Sequence, residues 1–290
     1  MADIHPTAVV DPGARIADDV EIGPLCCVGA DVEIGAGSRL LSQVTVMGHT
    51  AIGKGNTLWP HATLGGAPQD LKYSGEPTRL VIGDHNQIRE FVTIHRCTGH
   101  EEEATRIGDH NMLMAYAHIA HDCVVGSHVI MANVALAGHI HIDDYVVIGG
   151  GTCVHHYVTI GQYAYLGGMT RVVHDVPPYM VMEGQPARIR GVNQIGLVRN
   201  GFESETVEHL KDAYRGLFKV ADTTGVGRTA QALADLSVRY PDDPHVQHLL
   251  QAMRNSEAGV HGRYRESMRP DDRRSLRPDA AMRSGGSASK

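Results

Sequence analysis

The sequence predicts a parallel β-helix of six-residue repeats followed by a small α-helical domain, and three observations carry that prediction. From Ile4 an aliphatic residue returns every six positions, through Val10, Ile16, Ile22, Val28, Ile34, Leu40, Val46, Ile52, Leu58 and Leu64, without a slip. Four residues after each comes a mostly small side chain, as at Ala8, Ala14, Cys26, Ser38, Thr50, Asn56 and Ala62. With 33 glycines and only 5% aromatic residues, the 290-residue chain suits a tightly coiled, repetitive backbone better than a core of interlocking rings.

A period of six is neither the 3.6 of an amphipathic helix nor the 2 of a half-buried strand. It fits a triangular prism: a short flat strand, a two-residue corner, then the next face. The aliphatic points inward, the small residue fills the cramped corner, and three such units close a coil of about 18 residues. The register resumes at Ile82, Ile88 and Ile94, then at Ile107, Leu113, Ile119, Val125, Met131 and Ala137. After a one-residue slip it runs through Ile142, Ile148, Val154, Ile160, Leu166 and Val172.

Two segments interrupt the repeat, 65–81 and 97–106, and both read as loops ejected from the prism. Insertions in solenoids usually sit on the working face, and the polar text Gln69-Asp70-Leu71-Lys72 marks the first loop as functional. The acidic run Glu101–Glu103 reads as a solvated tip. Paired prolines, Pro177 and Pro178, end the repeat. The β-helix is therefore assigned to residues 1–192. A helical domain follows at 193–254, where Val207, Leu210, Tyr214, Leu217 and Phe218 share one helical face, with shorter helices near 228–239 and 244–254. The Ser-, Gly-, Arg- and Pro-rich stretch 255–290 is expected to be a disordered basic tail.

Charge and cysteine usage narrow the function. A net charge of −7 argues against nucleic acid as a partner. No run of about 18 apolar residues could span a bilayer, and no secretory leader is evident. Cys26, Cys27, Cys97, Cys123 and Cys153 show no zinc or redox spacing, as expected of reduced thiols in a cytoplasmic protein.

Eleven of the 19 histidines fall between His85 and His156. His85, His110 and His128 read as solvated strand residues on an outer face. The stretch Ala117-His118-Ile119-Ala120-His121-Asp122 differs. Ile119 points inward, so His121 sits near a corner with a carboxylate beside it, the pairing that orients an imidazole for proton transfer. His139 and His155 follow roughly one and two coils on. Such a cluster suits either general-base catalysis or a three-histidine zinc site.

The text resembles the UDP-N-acetylglucosamine 3-O-acyltransferases of lipid A synthesis, hexapeptide-repeat enzymes built on a left-handed parallel β-helix. The resemblance runs from His5-Pro6-Thr7-Ala8 to about Phe202. It rests on Gln69-Asp70-Leu71-Lys72-Tyr73, Gly75-Glu76-Pro77-Thr78-Arg79, Ile88-Arg89-Glu90, Thr93-Ile94-His95-Arg96, the His118–Asp122 string, Leu136-Ala137-Gly138-His139, Asp175–Tyr179 and Gly191-Val192-Asn193. It implies that His121 is the general base toward the sugar 3-hydroxyl, that Asp122 supports it, and that the Gly138 N–H faces the thioester oxyanion. Asp70, Lys72, His95, His118, His139 and His155 are implied to line the nucleotide-sugar site, Asn193 and Arg199 to contact the nucleotide, and Gly168 and Met169 to bound the acyl chain. The implied donor is acyl carrier protein, carrying the acyl group on its phosphopantetheine, with no metal and no further cofactor. The implied assembly is a homotrimer with active sites between subunits.

The chain departs from the family in places. The stretch Ala132–Leu136 is one residue short, His156 stands where glutamine is common, and Ile195 and Asn200 replace residues that are charged in some relatives. An N-acyltransferase acting on an amino-sugar nucleotide, including a 3-amino analogue, is the nearest alternative. A zinc site like that of the β-helix carbonic anhydrases would pair His85 with His121, but position 126 holds Gly126 rather than the further histidine. A non-enzymatic scaffold is the remaining alternative.

Overall fold

The computed structural model describes residues 1–99, 103–219, 226–260, 262–263 and 265. Among these, 28 mostly two-residue strands run from Asp3–Ile4 to Arg188–Val192 and form three sheets of eleven, nine and eight strands. The sheets, here faces A, B and C in that order, are visited in rotation, so the chain winds as a left-handed parallel β-helix. Its core is the predicted aliphatic column. Ile22, Leu40, Leu58, Ile88, Leu113 and Ile148 on face A are each no more than 1% exposed.

Register locates the loops. Asp3 pairs with Glu21 and Met112 with Ile130, steps of 18 residues. Thr57 pairs with Gln87, a step of 30, and Gln87 with Met112, a step of 25. The excess lies between Gly66 and Arg79 and between His95 and Ala104, so both ejected loops are shorter than the sequence reading made them. Arg79–Ile82 and Ala104–Ile107 are full strands paired along their length. Ala104 and Thr105 are buried although neither carries the aliphatic signal. The acidic tip lies partly outside the described residues; Glu103 itself is exposed.

One coil is short by a residue. Met112 to Ile130 is a full step, but Ile130 to Val147 is 17. The deletion falls between Met131 and Leu136, and Leu136, not Ala137, is the inward residue, at 1% exposure. The prolines also need correcting. They sit in a turn, and Met180–Glu183 beyond them continues face A before Arg188–Val192 closes it antiparallel.

Corners hold side chains in the left-handed backbone region, a conformation disfavoured for L-residues. On the C–A edge, Asn56, Asn86 and Asn111 form a buried ladder, each Oδ1 accepting a backbone N–H from the next coil. Outside that ladder, His85, His110, His128, Tyr145 and Tyr163 stack at centroid spacings of 4.6–5.1 Å. These three histidines are exposed, as expected, but they occupy corners (φ near 58°) rather than strand faces.

The helices α1 (Gln194–Arg199), α2 (Ser204–Tyr214, extended by a π turn), α3 (Val226–Arg239) and α4 (Pro244–Glu257) follow. Their core of Leu197, Val207, Leu210, Leu233, Leu236, Val246, Leu249 and Leu250 packs on Tyr179, Met180 and Val192 at the end of the β-helix. Asp243 caps α4 by accepting from the N–H groups of His245 and Val246. α4 continues to Glu257, past the start of the expected tail, and residues 266–290 of that tail lie outside the described residues.

Candidate active site

Both ejected loops leave the prism at the B–C edge, and so does the densest group of histidines. Strand Thr93–His95 pairs with His118–Ile119, which puts Thr93 beside His118, and Thr93 Oγ1 lies 2.7 Å from His118 Nδ1. His95 and His118 meet edge to face at 5.0 Å, as do His121 and His139 at 5.2 Å. His139 in turn stacks flat on Tyr157 at 4.6 Å.

Asp122 is the pivot. It is fully buried in the corner at φ 59°, with Oδ2 2.7 Å from Nδ1 of His121. Its carboxylate also accepts from Thr98 Oγ1 at 2.8 Å and from the Thr98 N–H at 3.0 Å, while its own N–H donates to Thr105 Oγ1 at 2.9 Å. Thr98 and Thr105 are the two stems of the second ejected loop, so that insertion builds the socket for the carboxylate. Burial works to raise the Asp122 carboxyl, but hydrogen bonds from His121 and Thr98, with the nearby His139 ring, outweigh it and hold the group below the usual carboxylate range.

An ionised acceptor on Nδ1 puts the His121 proton there and leaves Nε2 as a free base. Two neighbours are biased toward the neutral form. Burial, then the adjacent His118 and His121, pushes His95 down to about 4, and burial with His121 lowers His118. A Cβ on Gly138 would stand 2.5 Å from Cε1 and 2.8 Å from Nε2 of His121, so only glycine lets the two coils approach this closely. The Gly138 N–H engages no protein acceptor among the described residues. Cys123 is no rival nucleophile, because burial pushes its thiol up to about 12.

The family is decided by comparison. Residues 175–261 match the model described as UDP-N-acetylglucosamine O-acyltransferase, domain 2, and residues 104–138 match the bacterial transferase hexapeptide model. The acyl-[acyl-carrier-protein]–UDP-N-acetylglucosamine O-acyltransferase of Thiobacillus denitrificans is 47% identical over 90% of this chain and 99% of its own length. The enzyme of that name from Thermodesulfovibrio yellowstonii is 44% identical over the same shares. The solved LpxA of Acinetobacter baumannii superposes with a TM-score of 0.82 at 42% identity, covering 87% of this chain and 97% of that one. The chain belongs to the acyl-[acyl-carrier-protein]–UDP-N-acetylglucosamine O-acyltransferases.

In this acyltransferase the remaining expected site residues lie on four separate parts of the fold. His155 is on the B–C edge beyond His139, its ring 3.9 Å from that of His156. Asp70 and Lys72 sit in the first ejected loop, where Asp70 Oδ1 accepts the Lys72 N–H at 2.9 Å. Arg96, at the base of His95, donates to Tyr73 OH at 3.1 Å and ties that loop down. Asn193 caps α1 and donates to the Tyr163 carbonyl, while Arg199 is exposed at the other end of that helix. Gly168 and Met169 lie on the A–B edge, away from the B–C edge of His121. His85 is on the C–A edge, so the zinc arrangement pairing it with His121 is not formed within the chain.

The sequence reading missed Thr98, Thr105 and Tyr157. Thr98 and Thr105 are ordinary hydroxyls in or beside an insertion. The only available signal was that a buried aspartate in a corner requires donors.

Proposed function

We propose that this acyltransferase moves a (3-hydroxy)acyl group from the phosphopantetheine thioester of acyl carrier protein to the 3-hydroxyl of UDP-N-acetylglucosamine, the first step of lipid A synthesis, in the cytoplasm. The observation that carries this reading is the His121–Asp122 pair, with the His121 ring packed close against Gly138. Nε2 takes the proton of the sugar hydroxyl as its oxygen attacks the thioester carbonyl. The tetrahedral oxyanion accepts a hydrogen bond from the Gly138 N–H. Collapse expels the phosphopantetheine sulfur, which recovers the proton from His121. His95, His118, His139, His155, Asp70 and Lys72 are assigned to the nucleotide sugar, and Asn193 and Arg199 to the nucleotide.

The reaction needs no metal. His121, Asp122 and His139 do offer ligand atoms within 4.8 Å of one another. However, Asp122 already accepts three hydrogen bonds that suit a proton-bound imidazole. A homotrimer with intersubunit sites is supported by the placement of Gly168 and Met169 on a different edge from His121. The A–B edge also exposes Leu25, Phe91, Tyr116 and Met169, an apolar row suited to packing on another copy. No helix among the described residues is long and apolar enough to cross a membrane.

The test is mass-spectrometric detection of acylated nucleotide sugar, using a panel of hydroxyacyl carrier proteins with UDP-N-acetylglucosamine and its 3-amino analogue. Wild type should form the O-acyl product and His121→Ala should lose at least about 10²-fold of the rate. Product from the amino sugar alone would replace this reading with N-acyl transfer. No product with any pair would remove acyl transfer.

A further inference from the structure

We infer that Arg96 is a positioning residue: through the hydroxyl of Tyr73 it fixes the ejected loop that carries Asp70 and Lys72, and so sets where those side chains meet the nucleotide sugar. This role rests on the assignment of Asp70 and Lys72 to the sugar made above.

Burial does little to hold that loop. Pro68 and Thr78 are buried at its two ends, but no residue from Gln69 to Pro77 is buried, and Leu71 is fully exposed. A segment with so little packed surface opens at low cost unless polar contacts restrain it. Its shape is set locally. Asp70 Oδ1 accepts the Lys72 N–H at 2.9 Å, and the Asp70 carbonyl accepts the Tyr73 N–H at 3.1 Å. Tyr73 therefore closes the turn on which Asp70 and Lys72 sit.

The β-helix meets the loop at the Tyr73 hydroxyl. Arg96 Nη2 donates to that oxygen at 3.1 Å, and the hydroxyl donates onward to the Glu76 carbonyl at 2.7 Å. A guanidinium only donates and a carbonyl only accepts, so the direction of both bonds is fixed. The Arg96 end is anchored in the prism. Its N–H donates to the Gly66 carbonyl at 3.0 Å, where Gly66 pairs with His95. Its side chain lies over Gly48, which has φ +61° and where a Cβ would overlap Nη1 and Cζ of Arg96. Glycine at 48 thus serves a left-handed turn and leaves the guanidinium its place. Two adjacent residues then locate both halves of the sugar site, His95 on the strand and Arg96 reaching the loop.

The experiment combines hydrogen exchange read by mass spectrometry with steady-state kinetics on the full chain. Tyr73→Phe removes only the hydroxyl, and thermal unfolding should show an unchanged fold. Exchange of the amides in residues 69–77 should quicken about fivefold. The KM for UDP-N-acetylglucosamine should rise by about the same factor, the scale of one hydrogen bond, with kcat little changed. Arg96→Met keeps an apolar stem over Gly48 and should reproduce both effects, and Tyr73→Phe should add nothing in that background. Unchanged loop exchange, an unchanged KM, a loss confined to kcat, or additive losses in the double variant each overturn the inference. If wild type turns over no nucleotide sugar, the exchange rates still decide whether Arg96 holds the loop through Tyr73, and the failure belongs to the functional reading alone.

Discussion

Thr98 and Asp122 are 24 residues apart in sequence, yet Thr98 gives the Asp122 carboxylate both its hydroxyl, at 2.8 Å, and its backbone N–H, at 3.0 Å. This double grip favours the ionised form of a buried carboxylate under an imidazole, and the proposed mechanism depends on that charge.

Asp122→Asn should therefore keep the fold and lose the reaction. The amide is nearly isosteric but carries no charge and can leave His121 in the wrong tautomer. We expect kcat to fall by about 10²–10⁴ with little change in KM, the loss seen when a base forfeits its orienting carboxylate. Thermal unfolding should show that the variant is folded. Wild-type kcat in such a variant would remove the pair from the mechanism.

The same corner makes stability depend on pH through His95. Its folded-state value is pushed down to about 4, below the ordinary 6.5, mainly by burial. On acidification the unfolded chain binds this proton first, so stability is full above about 6.5 and falls as pH drops toward 4. The shift corresponds to about 3 kcal/mol. His95→Gln should flatten the dependence of unfolding free energy on pH across that window. An unaltered slope would show that His95 is accessible and titrates normally.

Much of the fold was legible because every inward position of a narrow prism must be aliphatic, so Ile22, Leu40 and Leu58 announce their face directly. The slip near Ala137 was visible, but its place was not. Leu136 and Ala137 are neighbours that both fit a core pattern, and only pairing with Ile119 shows which one points in. Corners were the least readable element. They carry no aliphatic signal, so exposed His110 and buried Asp122 both occupy left-handed positions for different reasons. His121 and Asp122 could be found because they adjoin in sequence. Thr98 could not, since it meets its partner across an insertion.

Gly138→Ala tests how closely two coils must approach at the base. The new methyl would contact Cε1 and Nε2 of His121 at 2.5 and 2.8 Å, so the ring must rotate away from Asp122. Gly138 lies outside the left-handed region, so the backbone tolerates the change. We expect a kcat loss of about 10²-fold, on the scale of a displaced oxyanion donor, with the melting temperature nearly preserved. A variant with normal kcat would show that neither the ring position nor the N–H matters.

Subunit sharing can be tested by complementation. Gly168 and Met169 occupy the A–B edge and His121 the B–C edge, so in the proposed trimer a complete site takes one edge from each of two chains. His121→Ala alone and Gly168→Trp alone should each be inactive, the first lacking a base and the second an acyl slot. Refolded together as mixed trimers, they should recover about one quarter of wild-type activity, because a random mixture pairs an intact His121 with an intact Gly168 at that frequency. Chains that each held a whole site would give no recovery, and light scattering on the mixture would show whether trimers had formed at all. Recovery near one quarter would place the two edges of every working site on different subunits.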